Sequence, residues 1–171
     1  ALADYTRAIE LNPSDAVAHL HRGRTLAARG RDAEALRDLD RALALQPNLT
    51  EAYLQRGMVH ARLGNWDAAR NDLNEALEDN SDNALGLYYR GVVLAQLGQD
   101  DEAVADLDHS LELQPNQPQA YQQRAMLHRK AMTGAVTSMV PIPGMDLFVD
   151  ATLMSKLIPQ INQAFGLTPE Q

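Results

Sequence analysis

The sequence predicts an all-α protein made of stacked pairs of antiparallel helices. The main observation is an internal period of 34 residues, which small, apolar and turn-forming residues all follow. The recurring residues are Gly23, Gly57 and Gly91; Gly30, Gly64 and Gly98; Ala35, Ala69 and Ala103; and Leu39, Leu73 and Leu107. A second observation is the recurring turn residue, which is Pro13, Pro47, Ser81 and Pro115. Such a period is typical of helical hairpins that bury their apolar faces by stacking.

Three complete repeats are predicted, and each consists of a first and a second helix. They span residues 16–49, 50–83 and 84–117. In the first repeat, Ser14 or Asp15 can cap the free amides of the first helix, and Gly30 can end it. Pro47 then ends the second helix, because proline cannot continue a helix interior. The predicted helices run near residues 15–29, 32–45, 49–63, 66–79, 82–97 and 100–113.

Incomplete repeats are predicted on both sides of these three. The residues Ala1, Tyr5 and Ala8 match the second-helix pattern one period earlier, so the chain is expected to open inside an upstream repeat. Because the first residue is not methionine, we expect a fragment of a longer protein. A further first helix is predicted near Pro118, although Ala125 replaces the repeated glycine there.

The small, large and proline positions of this period resemble the tetratricopeptide repeat family. The matching residues are Gly23, Ala35, Leu39, Ala42 and Pro47, with their counterparts one and two periods on. The resemblance covers residues 1–130 and implies a right-handed superhelix whose first helices line a concave groove. It also implies a non-catalytic scaffold that holds a segment of another protein.

Composition and motifs restrict the possible functions. The chain of 171 residues has a formal net charge of −8 and no cysteine. A negative chain is unsuited to nucleic acid, which is bound through a basic surface. No zinc-binding histidine pair and no serine–histidine–acid grouping stands out. We therefore predict no catalytic residues, no metal and no cofactor, and a cytoplasmic location.

The resemblance places the ligand-facing positions on the first helices. The lysine, asparagine and arginine clamp with which some family members hold a chaperone's C-terminal carboxylate is missing. A mostly apolar path replaces it, and an exposed apolar strip of this kind favours a covering partner. We expect a helix or apolar peptide there, with a second copy of the chain, its own tail or ordinary helix packing as alternatives. The predicted groove residues are Leu20, Arg24, Leu54, Met58, Arg62, Tyr88, Val92 and Met126.

An arginine and an aspartate also recur with the period. Each arginine lies on a first helix and each aspartate on a second helix, so the two can meet within a hairpin or between neighbours. We predict ion pairs that fix the register of the hairpins, and the alternative is a row of arginines offered to an acidic ligand. The predicted pairs are Arg22 with Asp38, Arg56 with Asp72, and Arg90 with Asp106.

The tail, residues 131–171, differs in composition from the repeats. It is predicted to form an apolar helical hairpin that breaks at Pro141 and Pro143 and resumes near Met145. Because such a hairpin is too apolar to stand alone in water, it is expected to cap the last repeat. Filling the groove and forming a homodimer are alternatives, whereas Asp146 and Asp150 disfavour membrane contact through residues 131–165.

The tail also resembles a helical segment of immunity-related GTPases and related bacterial helical domains. The matching residues are Val140-Pro141-Ile142-Pro143-Gly144, Asp150, Leu153, Leu157 and Phe165-Gly166-Leu167. The resemblance implies a regulatory arm of a membrane-associated or GTPase-type system, which is a third hypothesis after the interaction scaffold and the self-assembly module. Because the phosphate-binding loop Gly-x4-Gly-Lys-Ser/Thr is absent from the chain, nucleotide binding is not expected.

Overall fold

A computed structural model describes the backbone of residues 1–138 and the side chains of residues 1–133. All regular secondary structure in this part is α-helical, and the predicted helix bounds agree with it to within two residues. The predicted tail beyond residue 138, including the residues of the GTPase resemblance, lies outside the described residues. The helices are α1 Leu2–Leu11, α2 Ala16–Ala27, α3 Asp32–Leu45, α4 Thr50–Arg62, α5 Trp66–Glu78, α6 Ala84–Gln96, α7 Asp100–Leu113 and α8 Pro118–Ser138.

The helices pack in the order that the period predicts. Within each repeat the two helices pair, as α2 with α3, α4 with α5, and α6 with α7. The second helices also pack on the next first helix, as α1 on α2, α3 on α4 and α5 on α6, and α4 contacts both α2 and α6. Residues Ala1–Ala131 therefore form one compact unit in which the first helices stand side by side. The predicted all-α fold of stacked hairpins is confirmed for the described part of the chain.

The first helices α2, α4 and α6 each end at a glycine in the left-handed conformation. Gly30, Gly64 and Gly98 have φ values of 72°, 77° and 80°. The amide of the following residue then donates back across the end of the helix, as Arg31 does to the carbonyl of Leu26 at 3.0 Å. Because L side chains rarely adopt this conformation, glycine at this position sets the sharp turn between the two helices of a repeat.

The core of every hairpin is a leucine of the second helix set against a glycine of the first. Leu39, Leu73 and Leu107 are all 0% exposed. A Cβ atom built on Gly57 would lie 2.9 Å from Cγ of Leu73 and 3.2 Å from Cβ of Asp72. Since real Cβ contacts are not that short, the glycine is what allows the two helices to approach closely.

We expect Gly57→Ala to destabilise the chain by about 1 kcal/mol in urea denaturation. Overpacking a filled core costs about 1–3 kcal/mol, which outweighs the gain of about 1 kcal/mol in helix propensity. Gly86→Ala is the matched control, because its nearest neighbour is the movable Cδ2 end of Leu77 at 3.2 Å. The control should be neutral or stabilising, and a Gly57→Ala variant more stable than the parent would contradict the packing argument.

Candidate functional site

The recurring arginines and aspartates form forked ion pairs within each hairpin. Nε and Nη2 of Arg56 donate to the two carboxylate oxygens of Asp72, both at 2.8 Å. The same two bonds join Arg22 to Asp38, both at 2.7 Å, and Arg90 to Asp106 at 2.7 and 2.8 Å. The three aspartates are buried, whereas the arginines keep about a quarter of their side-chain surface exposed. Two parallel bonds hold each guanidinium in a fixed orientation on the second helix.

The remaining nitrogen of each arginine reaches the second helix of the preceding repeat. Nη1 of Arg56 donates to Asp40 at 2.7 Å, and Nη1 of Arg124 donates to Asp108 at 2.6 Å. The hydrogen bonds to Asp72, above all, and to Asp40 raise the pKa of Arg56 despite its partial burial. Arg56 thus bonds to two repeats at once. This favours a structural role for the recurring arginines over binding of an acidic ligand.

A second contact between repeats was not predicted from the sequence. Arg62 forms an ion pair with Asp32 and donates through Nη2 to the carbonyl oxygen of Ala27 at 3.2 Å. Its hydrogen bond is the main reason why the pKa of Asp32 is lowered. Lys130 and Asp100, two periods further on, make the equivalent pair at 2.7 Å. The spacing of 30 residues in both pairs is the sequence signal that could have revealed this contact.

The predicted groove residues divide into buried and accessible members. Leu20 and Leu54 are each 4% exposed and belong to the apolar core, so they support the surface without offering contact area. Met58, Tyr88 and Val92 are half-buried, and Arg24, Arg62 and Met126 are exposed. Of the two arginines, Arg62 is held by Asp32, whereas Arg24 forms no ion pair with any residue that the structure describes.

The accessible side chains define what we call the first-helix face, which also includes apolar residues that the predicted set omitted. Val17 and Leu85 are 47% and 42% exposed. The face consists of Val17 and Arg24 on α2, Met58 on α4, Leu85, Tyr88 and Val92 on α6, and Met126 on α8. It is chiefly apolar. Its one charged residue, Arg24, forms no ion pair with any residue that the structure describes.

Tyr88 of the first-helix face lies beside Tyr89, the next residue of α6. Their rings meet edge to face with centroids 5.2 Å apart. Tyr89 packs on the same core cluster as Met58, whereas Tyr88 packs on the following cluster, which includes Leu127 of α8. Partial burial raises the pKa of Tyr88 above its usual value. Its hydroxyl, like that of any tyrosine at neutral pH, is protonated and can donate a hydrogen bond. The two rings therefore rest on the apolar clusters of two successive repeats.

A metal site and a membrane-spanning helix are both absent from the part of the chain that the structure describes. Residues 1–133 contain no cluster of three histidine or acidic side chains placed to hold a metal ion. No helix in the described part of the chain is long and apolar enough to cross a membrane. The buried His19 is used internally, since its ring nitrogens lie 3.2 Å from Asp38 and 3.2 Å from the carbonyl oxygen of Pro13.

Comparison with protein-family models decides the family of this array. Two models, both of the tetratricopeptide repeat, match residues 24–85 and 84–117. The chain contains tetratricopeptide repeats. These two matches cover the three predicted repeats from Arg24 onward, and they account for the period of 34 residues. No curated protein matches the chain in sequence.

Solved structures of tetratricopeptide repeat proteins share the fold. YrrB, described as a TPR protein with an unusual peptide-binding site, is 27% identical with a TM-score of 0.70, over 80% of this chain and 72% of YrrB. The first TPR of Spaghetti (RPAP3), bound to the HSP90 peptide SRMEEVD, is 22% identical with a TM-score of 0.65, over 68% and 93%. MamA 41-end from Desulfovibrio magneticus RS-1 is 18% identical with a TM-score of 0.72, over 79% and 76%. The last two likenesses show the superhelical fold alone.

Proposed function

We propose that the chain is a non-catalytic interaction scaffold that binds a helix or an apolar peptide on its first-helix face. The observation that carries the proposal is the half-exposed apolar strip formed by Met58 of α4 with Leu85, Tyr88 and Val92 of the adjacent α6. Among proteins of this fold, YrrB has a peptide-binding site and the Spaghetti domain binds a peptide of HSP90. These two relatives support protein–protein interaction as the general function.

The chemistry of the strip determines what kind of segment fits. Methionine adapts to irregular apolar surfaces, and tyrosine combines a rigid apolar ring with a hydroxyl that donates a hydrogen bond. Aromatic anchors surrounded by smaller apolar contacts are typical of the centres of protein interfaces. Arg24, at one side of the face, would orient a carboxylate of the bound segment. The expected ligand is therefore an amphipathic helix or extended peptide with apolar residues on one side.

Self-assembly is the second candidate, and exposed apolar residues on α8 favour it. Tyr121, Met126 and Met132 are 45%, 59% and 42% exposed. A second copy of the chain would bury them by contacting α8. Light scattering of the full chain and of a Met126→Lys variant tests this candidate. A dimer that the substitution dissociates would support self-assembly, and a monomeric parent chain would exclude it.

Selection from a random-peptide library tests the proposed scaffold. We expect the full chain to enrich peptides with regularly spaced apolar residues, and Tyr88→Ala to abolish their enrichment because it removes the aromatic anchor. Leu113→Ala is the matched control, since Leu113 is an apolar residue of the second helix α7 that is 38% exposed. Circular dichroism verifies that both variants are folded. Enrichment that survives Tyr88→Ala but is lost in Leu113→Ala would overturn the proposal.

A further inference from the structure

The repeats are joined by three kinds of contact, and the junction between α5 and α6 departs from its neighbours in each. The first contact is the bond from a recurring arginine to the preceding repeat. At the junctions α3/α4 and α7/α8 the acceptor is a carboxylate, Asp40 or Asp108. At the junction α5/α6, Arg90 donates instead to the neutral amide oxygen of Asn74 at 3.1 Å. A neutral acceptor forms a weaker bond than a charged one.

The second contact is the ion pair at the end of the first helices. Asp32 with Arg62 and Asp100 with Lys130 join the repeats on either side. The corresponding residues at the junction α5/α6 are Trp66 and Gln96, which cannot form an ion pair. Trp66 instead packs on an apolar cluster that also contains Val93 of α6. Besides the bond from Arg90 to Asn74, a long bond of 3.4 Å from Arg70 to Gln99 links α5 to the next repeat.

The third connection is the backbone that links each second helix to the next first helix. The turn before α6 has Ser81 where the other three turns have proline, so φ is not fixed there. In the first turn of α6, Gly86 occupies a position that is alanine in the other first helices, as Ala18, Ala52 and Ala120. Glycine in a helix gives the backbone more freedom and costs about 1 kcal/mol relative to alanine. Both changes weaken the connection on the same side of the junction.

Apolar packing continues across this junction. Val93 of α6 belongs to the same cluster as Leu54 of α4 and Leu73 of α5, and Gly86 lies against Leu77 of α5. The two parts are therefore held mainly by apolar contacts, which permit sliding more readily than the ion pairs that join α3 to α4 and α7 to α8. At the junction between α1 and α2, Arg22 also donates to a neutral acceptor, Thr6, at 3.4 Å. That junction, however, joins only the single helix α1 to the array.

We infer that the junction between α5 and α6 is the hinge of the array. Helices α1–α5 form one body, and α6, α7 and the start of α8 form the other, with residues 79–83 as the connection. The proposed binding strip crosses the hinge, because Met58 lies on α4 and Tyr88 and Val92 lie on α6. Where the proposed function holds, a segment bound to the strip would lock the two bodies together. The hinge itself does not depend on that function.

Hydrogen exchange of the unliganded full chain, followed by mass spectrometry, tests the hinge. We expect α2–α5 and α6–α7 to open as two cooperative units with different protection. Asn74→Asp with Gly86→Ala supplies the carboxylate and the alanine of the other junctions, and should slow exchange in α6 about tenfold. Asn74 is exposed, so its substitution leaves the core intact.

The matched opposite variant is Asp40→Asn with Arg62→Gln, which gives the junction α3/α4 the asparagine and the glutamine of α5/α6. It should create a new boundary of exchange between α3 and α4. A boundary that lies between α3 and α4 in the parent chain would overturn the inference. So would exchange in α6 that Asn74→Asp with Gly86→Ala leaves unchanged. Failure of the peptide selection described above would affect the proposed function and not the hinge.

Discussion

Asp72→Ala is expected to lower the free energy of unfolding by about 3 kcal/mol. Removing one partner of a buried ion pair typically costs about 3–5 kcal/mol, because the remaining charge stays desolvated without compensation. Here the loss should be near the lower limit, since the Arg56 side chain is 22% exposed and keeps its bond to Asp40. Urea denaturation followed by the fluorescence of Trp66, which lies in the same repeat, measures the change.

Asp40→Ala is the control for this experiment, because it removes the exposed acceptor of the same arginine. Exposed ion pairs contribute about 0–1 kcal/mol, so its effect should be several times smaller. Two equal losses, or a larger loss for Asp40→Ala, would show that the forked pair within the hairpin does not fix the register of its helices.

Val92→Asp is expected to weaken binding of a library-selected peptide at least tenfold. Val92 is half-buried on the first-helix face, so a peptide covering it would desolvate the new carboxylate. A tenfold loss corresponds to about 1.4 kcal/mol, a small part of the usual cost of burying an unpaired charge. Isothermal titration calorimetry with the synthetic peptide measures the affinity.

Val104→Asp is the matched control for the binding experiment. Val104 is also a half-buried valine, but it lies on the second helix α7. A similar cost in stability is expected in both variants, and only Val92→Asp should lower the affinity. Loss of affinity in Val104→Asp alone would place the ligand on the opposite side of the hairpins.

The fold could be predicted from the sequence because its determinants recur at identical positions. Gly57 with Leu73 sets the helix–helix distance, and Gly64 sets the turn, so each repeat carries the same information independently. The ion pair of Arg56 and Asp72 follows from the same periodicity, because residues 16 apart face each other across every hairpin. The acceptors in the preceding repeat, Asp40, Asn74 and Asp108, also recur at 34, but the predicted pairs did not include them.

The candidate site was less predictable, because exposure depends on the size of the side chain as well as on its position. Leu20, Leu54 and Tyr88 occupy one position of the repeat. Leu20 shares a cluster with Val59 of the next first helix, and Leu54 shares one with Val93, so both leucines are covered. The larger Tyr88 extends beyond its neighbours and stays half-exposed. The position of a residue in the repeat therefore indicates on which face of the helix it lies, but not whether its side chain is exposed.

The position of a bound peptide tests the central proposal most directly. Methyl NMR of the full chain, with methionine labelled at the methyl carbon, can follow Met58 during titration with a library-selected peptide. The proposal predicts a large shift of the Met58 resonance that saturates with the calorimetric affinity and is absent in Val92→Asp. A peptide that binds with the same affinity but leaves Met58 unperturbed would contradict binding on the first-helix face.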